Sequence, residues 1–429
     1  MAWKSAAAYG AALAVLAAGS GWAQTVDPAI KARVDKVLAR TPLIDGHNDV
    51  PWGIRQRVGV HPEKVDLGKD TSGLKEADGP GMHTDIARLK AGRLGGQFWS
   101  VYIPASFDGP IAVEMTLEQI DIAKSLPQRY PAVFEMAYTA DDIVRVHKAG
   151  RIASLVGIEG GHQIHDSLAV LRQMYAAGAR YMTLTHSANT RWADSATAAP
   201  KFGGLSPFGK AVVGEMNRLG MLVDLSHVSE ETMKDALEAT QAPVIFSHSS
   251  ARGLADHPRN VPDAVLPLVK ANRGVVMVTF VPGFVSFARA EWSAARTGEQ
   301  ARVGALYVGQ PARAKAALEA WEKAHPQPPV GLAIVADHIE HVAKLCGVDC
   351  VGIGGDFDGI AETPAGLEGV DKYPDLFAEL ARRGWSDEDL GKLAGGNLLR
   401  AMREAEATAK KLQATTQPSY ATLAELDGK

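Results

Sequence analysis

The chain has 429 residues, 46% of them hydrophobic and 22% charged, with a formal net charge of −4. That balance is globular and excludes a disordered or collagen-like chain. Acidic and basic residues are interspersed without a basic block, so nucleic acid is not an expected partner.

Lys4 gives the N-terminus a positive charge, and Ala6–Ala18 is an apolar run too short for a comfortable membrane span. Gly21-Trp22-Ala23 follows as a small-x-Ala cleavage site. Residues 1–23 therefore read as a secretory signal peptide cut after Ala23, with a retained membrane anchor as the alternative. No cysteine follows the cut, and Leu426-Asp427-Gly428-Lys429 has no apolar tail, so a lipid anchor is not expected. The mature protein is expected to be exported, periplasmic or secreted, with no stable membrane span.

Eight short apolar runs then alternate with amphipathic stretches. The runs are Leu43–Asp49, Gly96–Pro104, Ala153–Gly160, Tyr181–His186, Met221–His227, Pro243–His248, Gly274–Val281 and Val351–Asp358. Helical patterns between them include Asp166–Ala177, Pro207–Leu219, Glu230–Ala239, Asp263–Ala271 and Gly331–Leu345. Ser229 before Glu230 and Glu231 has the chemistry of an N-cap, and Gly178, Gly220 and Gly347 stand where helices should stop. This alternation predicts a parallel sheet closed into a (β/α)8 TIM-type barrel, an α/β fold, over residues 24–413.

Arg55–Met82 reads as an extended loop. Residues 284–329 read as a helical insertion after the seventh run, on the face where barrel active sites form. The insertion is either a lid or a peripheral decoration. Ser386–Gln413 reads as terminal helices, and residues 414–429 as a frayed tail. The only cysteines are Cys346 and Cys350. Export permits a bridge between them, and two free thiols are the alternative. Neither is expected to bind metal, because no other cysteine could complete a thiolate site.

Polar residues gather at the C-terminal ends of these runs, which converge on one mouth in a barrel. His47 and Asp49 are two residues apart and so share one face of the first strand, a spacing suited to a metal; Asp45 shares that face but lies deeper. Glu159 ends the third run, where a carboxylate is costly unless paired or metal-bound. His186, His227 and His248 end the next three. Any one of these histidines would more often be structural, but four of the chain's 13 at strand ends argue for a shared site. Imidazole and carboxylate together suit zinc. Asp356, in Gly354-Gly355-Asp356-Phe357-Asp358-Gly359, is an acid able to orient or deprotonate a water, whereas Asp358 reads better as a turn acid.

These motifs, in this order, resemble the membrane (renal) dipeptidase family. The resemblance is carried by Leu43-Ile44-Asp45-Gly46-His47-Asn48-Asp49, Gly157-Ile158-Glu159-Gly160-Gly161-His162, Thr183-Leu184-Thr185-His186, Asp224-Leu225-Ser226-His227-Val228-Ser229, Pro243-Val244-Ile245-Phe246-Ser247-His248-Ser249-Ser250, the Gly354–Gly359 motif and Gly396-Asn397-Leu398-Leu399-Arg400. It spans about residues 34–402 and implies an amidohydrolase-type barrel that holds two zinc ions and hydrolyses dipeptides. The resemblance implies that His47 and Asp49 hold one zinc, that His227 and His248 hold the other, and that Glu159 and a water or hydroxide bridge them. His186 would stabilise the tetrahedral oxyanion, Asp356 would shuttle the proton, and Arg259 would grip the substrate's free carboxylate. Arg252 is a rival for that grip. The family also implies tolerance of a D-residue at the C-terminal position, with β-lactam opening as a side activity.

Two features depart from the mammalian pattern: the insertion at 284–329, which bears on specificity, and the missing C-terminal anchor signal. Another barrel metal hydrolase, such as a lactonase, is a competing reading, but these commonly carry His-x-His where this chain has His47-x-Asp49. An exported zinc-binding non-enzyme would be expected to have lost Asp356, His186 or a ligand, and none is missing. A homodimer is the expected assembly.

Expressed with its own leader, the exported protein should begin at Gln24, which intact mass measurement checks. A product still beginning at Met1 would point to the anchor reading.

Overall fold

The fold is that of a computed structural model describing residues 27–75 and 81–428; the signal peptide expected at 1–23 lies outside them. All eight apolar runs form strands, and a ninth strand of three residues joins them. The strands are β1 (Leu43–Asn48), β2 (Leu94–Tyr102), β3 (Phe134–Met136), β4 (Ile152–Glu159), β5 (Ala179–Thr183), β6 (Leu222–Asp224), β7 (Ile245–Phe246), β8 (Val275–Val278) and β9 (Val351–Ile353). Their order is β2-β1-β9-β8-β7-β6-β5-β4-β3, and β2 also pairs with β4, so all but β3 close into a parallel eight-stranded barrel. β3 pairs with Ile152–Ser154 at the start of β4, below Val156 where β5 takes over. At three residues β3 is too short to show an alternating pattern, and the sequence reading missed it.

β1 and β4 are buried at every position, as strands covered on both faces must be. The helices follow their caps. Leu168–Ala177, Pro207–Leu219, Glu230–Ala239 and Leu332–Cys346 match the amphipathic stretches. The Ser229 side chain caps Glu230–Ala239 by accepting the Thr232 N–H. Gly178, Gly220 and Gly347 end their helices at positive φ. Near the chain's end, Asn397 Nδ2 donates to the carbonyls of Val348 and Val351 at 2.7 and 2.9 Å, which ties the terminal helix Asn397–Thr415 to the base of β9.

Three features refine the reading. Cys346 and Cys350 are disulfide-bonded, with Cα atoms 5.7 Å apart, joining the end of Leu332–Cys346 to the start of β9. The insertion is helical: Pro282–Val285, Phe287–Leu306 and Pro311–Ala324 leave the C-terminal end of β8. Its root is anchored by Arg289, which pairs with Glu362 and donates to the Pro328 carbonyl at 2.9 Å. Beyond the root only Val303 is buried, and Pro311–Ala324 buries nothing. The C-terminal tail, expected to fray, is docked. Asp427 accepts from the Ser206 hydroxyl at 2.6 Å and from the Phe208 N–H at 2.9 Å, capping Pro207–Leu219, and Arg172 donates to the Ser419 carbonyl at 2.7 Å.

The strands are shorter at their C-terminal ends than the apolar runs suggest, because side chains take over from the ladder there. Asp224 Oδ1 accepts the N–H of Ser226 at 3.1 Å and of Ser247 at 2.8 Å, drawing β6 and β7 out of regular pairing. After β9 the backbone itself closes in, and a Cβ added at Gly354 would lie 1.8 Å from the Ser247 carbonyl oxygen.

Gly354→Ala should therefore cost about 1–3 kcal/mol through overpacking, read as a lowered thermal midpoint. Gly298→Ala, in the exposed helix Phe287–Leu306 with nothing within 4 Å of the added carbon, should be neutral or slightly stabilising. Equal midpoints for both variants would contradict the close packing at the barrel mouth.

Candidate metal centre

The ends of β1, β4, β5, β6, β7 and β9 deliver the expected residues to one place. His47 is carried by β1 itself, with Asp49 just past its end. Glu159 is the last residue of β4, and His186, His227 and His248 lie two or three residues beyond β5, β6 and β7. Glu159 Oε1 is the hub. It lies 2.9 Å from His227 Nε2, 3.4 Å from His248 Nε2, 3.6 Å from His47 Nε2 and 3.8 Å from His186 Nε2. His47 Nε2 is also 3.2 Å from Asp49 Oδ2 and 4.0 Å from Asp356 Oδ1. Three sets of ligand atoms each fit within 4.8 Å: His47, Glu159 and His248; Glu159, His186 and His227; and His47, Asp49 and Asp356. They share members, so the donors form one connected cluster rather than two separate groups.

The arrangement lacks positive charge. His227 Nε2 and His248 Nε2 face each other at 2.9 Å, and His47 Nε2 and Asp49 Oδ1 are buried without a hydrogen-bond partner. Burial draws the His47 ring down, but Glu159, Asp49 and Asp356 outweigh it and hold its pKa up at about 10. Burial pushes Glu159 up to about 7, opposed by His47 and reinforced by Asp49. Asp356 is driven well above the carboxylate range by burial, with Asp49 and Glu159 adding to it against His47. Burial also takes His227 and His248 well below the usual imidazole value and His186 down to about 3; the Arg259 charge contributes to all three. Three imidazoles kept neutral, a fourth that stays charged only because acids surround it, and carboxylates aimed at common points are what a divalent cation would complete in place of that proton, and this donor set suits zinc.

Arg259 borders the cluster. It is 3% exposed, and its guanidinium donates to the His248 carbonyl at 3.3 Å and to Ser249 Oγ at 3.4 Å, while its Nε has no partner. Burial lowers it to about 10 against the pull of Asp356 and Glu159. Arg252 is committed elsewhere, to Glu230 at 3.2 Å and the Pro258 carbonyl at 3.0 Å. Asp358 is the turn acid: its Oδ1 accepts from the His83 N–H at 2.7 Å and its own N–H donates to His83 Nδ1 at 3.0 Å. The insertion's root reaches the same corner. The Phe284 ring stacks on His257 with centroids 4.4 Å apart and lies 5.4 Å from the Arg259 guanidinium carbon.

Sequence reasoning missed the supports behind the cluster. Tyr181 Oη lies 3.0 Å from His47 Nδ1, Ser247 Oγ lies 2.8 Å from His248 Nδ1, and Asp224 accepts from Ser247. Asp224 and Ser247 fall inside motifs already noted, and an acid in a fully buried strand was the available signal.

A family model described as membrane dipeptidase, peptidase family M19, matches residues 31–416. Among solved structures, the probable dipeptidase PvdM from Pseudomonas aeruginosa is 25% identical, with 89% of this chain and 99% of that one covered and a TM-score of 0.72. A metallopeptidase from Rhodobacter sphaeroides, liganded with a phosphinate mimic of the dipeptide L-Ala-D-Ala, is 24% identical, covering 85% of this chain and 99% of that one with a TM-score of 0.67.

If the cluster binds metal, zinc added to chelator-stripped protein should raise its thermal midpoint, by mass action worth about 2.7 kcal/mol at a hundredfold excess over Kd. Glu159→Gln should abolish most of that rise. An unchanged midpoint in the parent protein would contradict the assignment.

Proposed function

The chain belongs to the membrane dipeptidase family of metallopeptidases, and from that premise we propose that it is a binuclear zinc dipeptidase that cleaves dipeptides bearing a free C-terminal carboxylate and tolerates a D-residue there. The observation that carries this reading is Arg259: a buried guanidinium, with no carboxylate within ion-pairing distance among the described residues, hydrogen-bonded to the backbone of His248 in the cluster. A buried cation without a counter-ion calls for an anionic ligand, and a planar guanidinium matches a carboxylate in two-pronged fashion. With grip and cluster adjacent, the scissile bond sits close to the substrate's acid end. That geometry suits removal of the C-terminal residue, and the family match supports the restriction to dipeptides.

His47 and Asp49 would hold one zinc, His227 and His248 the other, and Glu159 would join them. When bound, the two ions supply Lewis-acid polarisation of the peptide carbonyl and a nucleophile at neutral pH. His186 is kept neutral and faces the same space, so its ring N–H is available to the carbonyl oxygen as charge develops. Asp356 is the most open of the three acids, its side chain 13% exposed against 5% and 6% for Asp49 and Glu159, and this suits it to take up the proton and pass it to the leaving amine. Among the described residues no helix is long and apolar enough to cross a membrane, which fits an exported protein released from its leader. A homodimer is the proposed assembly.

Purified mature protein should contain close to two zinc ions per chain and hydrolyse Gly-D-Ala and L-Ala-D-Ala until chelated. Asp356→Asn should keep both ions but lose about 10²–10⁴ in kcat. Parental turnover in that variant would overturn the proton role, and undiminished cleavage without metal would overturn the mechanism.

A further inference from the structure

Behind the cluster lies a second layer of buried polar groups that the proposed chemistry does not use. Asp224, at the end of β6, is fully buried and accepts four hydrogen bonds: at Oδ1 from the N–H of Ser226 (3.1 Å) and of Ser247 (2.8 Å), and at Oδ2 from the hydroxyls of Thr183 (2.5 Å) and Ser247 (2.7 Å). With its one proton committed to Asp224, the Ser247 hydroxyl can only accept from its other neighbours. One of those is His248 Nδ1 at 2.8 Å, so His248 carries its proton on Nδ1 and turns a bare Nε2 toward Glu159.

The same logic reaches His47. The Tyr181 hydroxyl donates to the Gly46 carbonyl at 3.1 Å. A carbonyl can only accept, so the Tyr181 proton goes to it and the Tyr181 oxygen accepts from His47 Nδ1 at 3.0 Å. Nε2 of His47, which has no hydrogen-bond partner, is then the nitrogen left for a metal, 3.2 Å from Asp49. Tyr181 reaches β1 from β5 across the barrel interior because β4 has Gly157 beneath it; a Cβ there would lie 2.0 Å from the ring.

We infer that two buried hydrogen-bond supports fix the tautomers of the two histidines, Asp224 acting through Ser247 on His248 and Tyr181 acting on His47, so that each set positions the ligand of one metal subsite. This rests on the reading of those two histidines as ligands of different ions. The polarity of the support behind His248 is set at Asp224, whose four hydrogen bonds are all accepted. Replacing it with Asn keeps the shape but puts an NH2 where Oδ2 faces Ser247, since the other oxygen must go on accepting two backbone N–H groups. Ser247 would then turn its proton toward His248 Nδ1 and force hydrogen onto Nε2, the wrong side of the ring.

The test is zinc affinity, measured by competition with a chelator on stripped full-length protein, with metal-free thermal midpoints recorded alongside. The parent should bind two ions. Ser247→Ala and Tyr181→Phe should each weaken one ion about 10–100-fold and spare the other. Ser247→Thr, which keeps the hydroxyl, should restore parental affinity. Asp224→Asn should weaken zinc more than Ser247→Ala does, although it removes no atom from the packing; a purely structural role predicts the opposite order. Parental affinity in Ser247→Ala and Asp224→Asn would overturn the positioning role while leaving the dipeptidase reading intact. A parent that binds no zinc would overturn the reading beneath it.

Discussion

Everything at the barrel mouth depends on a shortage of cationic charge: four imidazoles converge on Glu159 Oε1 within 4.0 Å in a largely buried place, and only His47 is held charged by the acids around it. No polypeptide gathers such groups for stability, since bringing unmatched acceptors together in a buried place costs several kcal/mol. The barrel is what makes the gathering feasible. Its eight strands fix six chain ends on one rim, and packing on both faces supplies the energy that the mouth consumes. The cost is recovered when a cation arrives, so metal binding and rim stability are two views of one equilibrium.

The same rim stores backbone strain. His227, Asp356 and Asp358 are non-glycine residues at φ of 69°, 63° and 66°, each costing on the order of 1–3 kcal/mol. Each is held by hydrogen bonds from neighbouring loops. The His227 carbonyl accepts from the Ala196 N–H at 2.7 Å, the Thr185 hydroxyl at 3.1 Å and the Ser195 hydroxyl at 3.3 Å, while Asp358 is locked by its reciprocal pair of bonds with His83. At His227 and Asp356 the left-handed backbone breaks from the extended path of the strands that lead to them. The loops from β5 and β1 therefore hold ligand geometry rather than merely connecting strands.

The first layer of this arrangement was legible in the sequence. Strand ends carrying His47, Glu159, His186, His227 and His248 stand out because ionisable groups at the ends of apolar runs need a reason to be there. Tyr181 did not stand out, because an aromatic residue inside a strand reads as core, and only the void above Gly157 shows that its hydroxyl crosses the barrel. Ser247 and Asp224 were visible as letters but not as partners, since their meaning lies in who donates to whom across β6 and β7. β3 and the docked C-terminal segment were missed for a related reason: three residues, or one Asp427 capping a distant helix, carry no periodicity. Periodic burial is written locally; hydrogen-bond polarity and long-range caps are not.

The insertion after β8 joins two parts with very different freedom. Its root is held by Phe284 beside Arg259 and by Arg289 on Glu362, whereas the paired helices beyond it bury almost nothing. Lengthening, shortening or resurfacing the outer part costs the barrel little, because a loop's closing entropy changes only slowly with its length. Changes at the root, by contrast, act at once on the space around the guanidinium. The family's chemistry can thus stay fixed while selection tunes what enters the corner, and the projecting helices form a ready place to graft new sequence without disturbing the ligands.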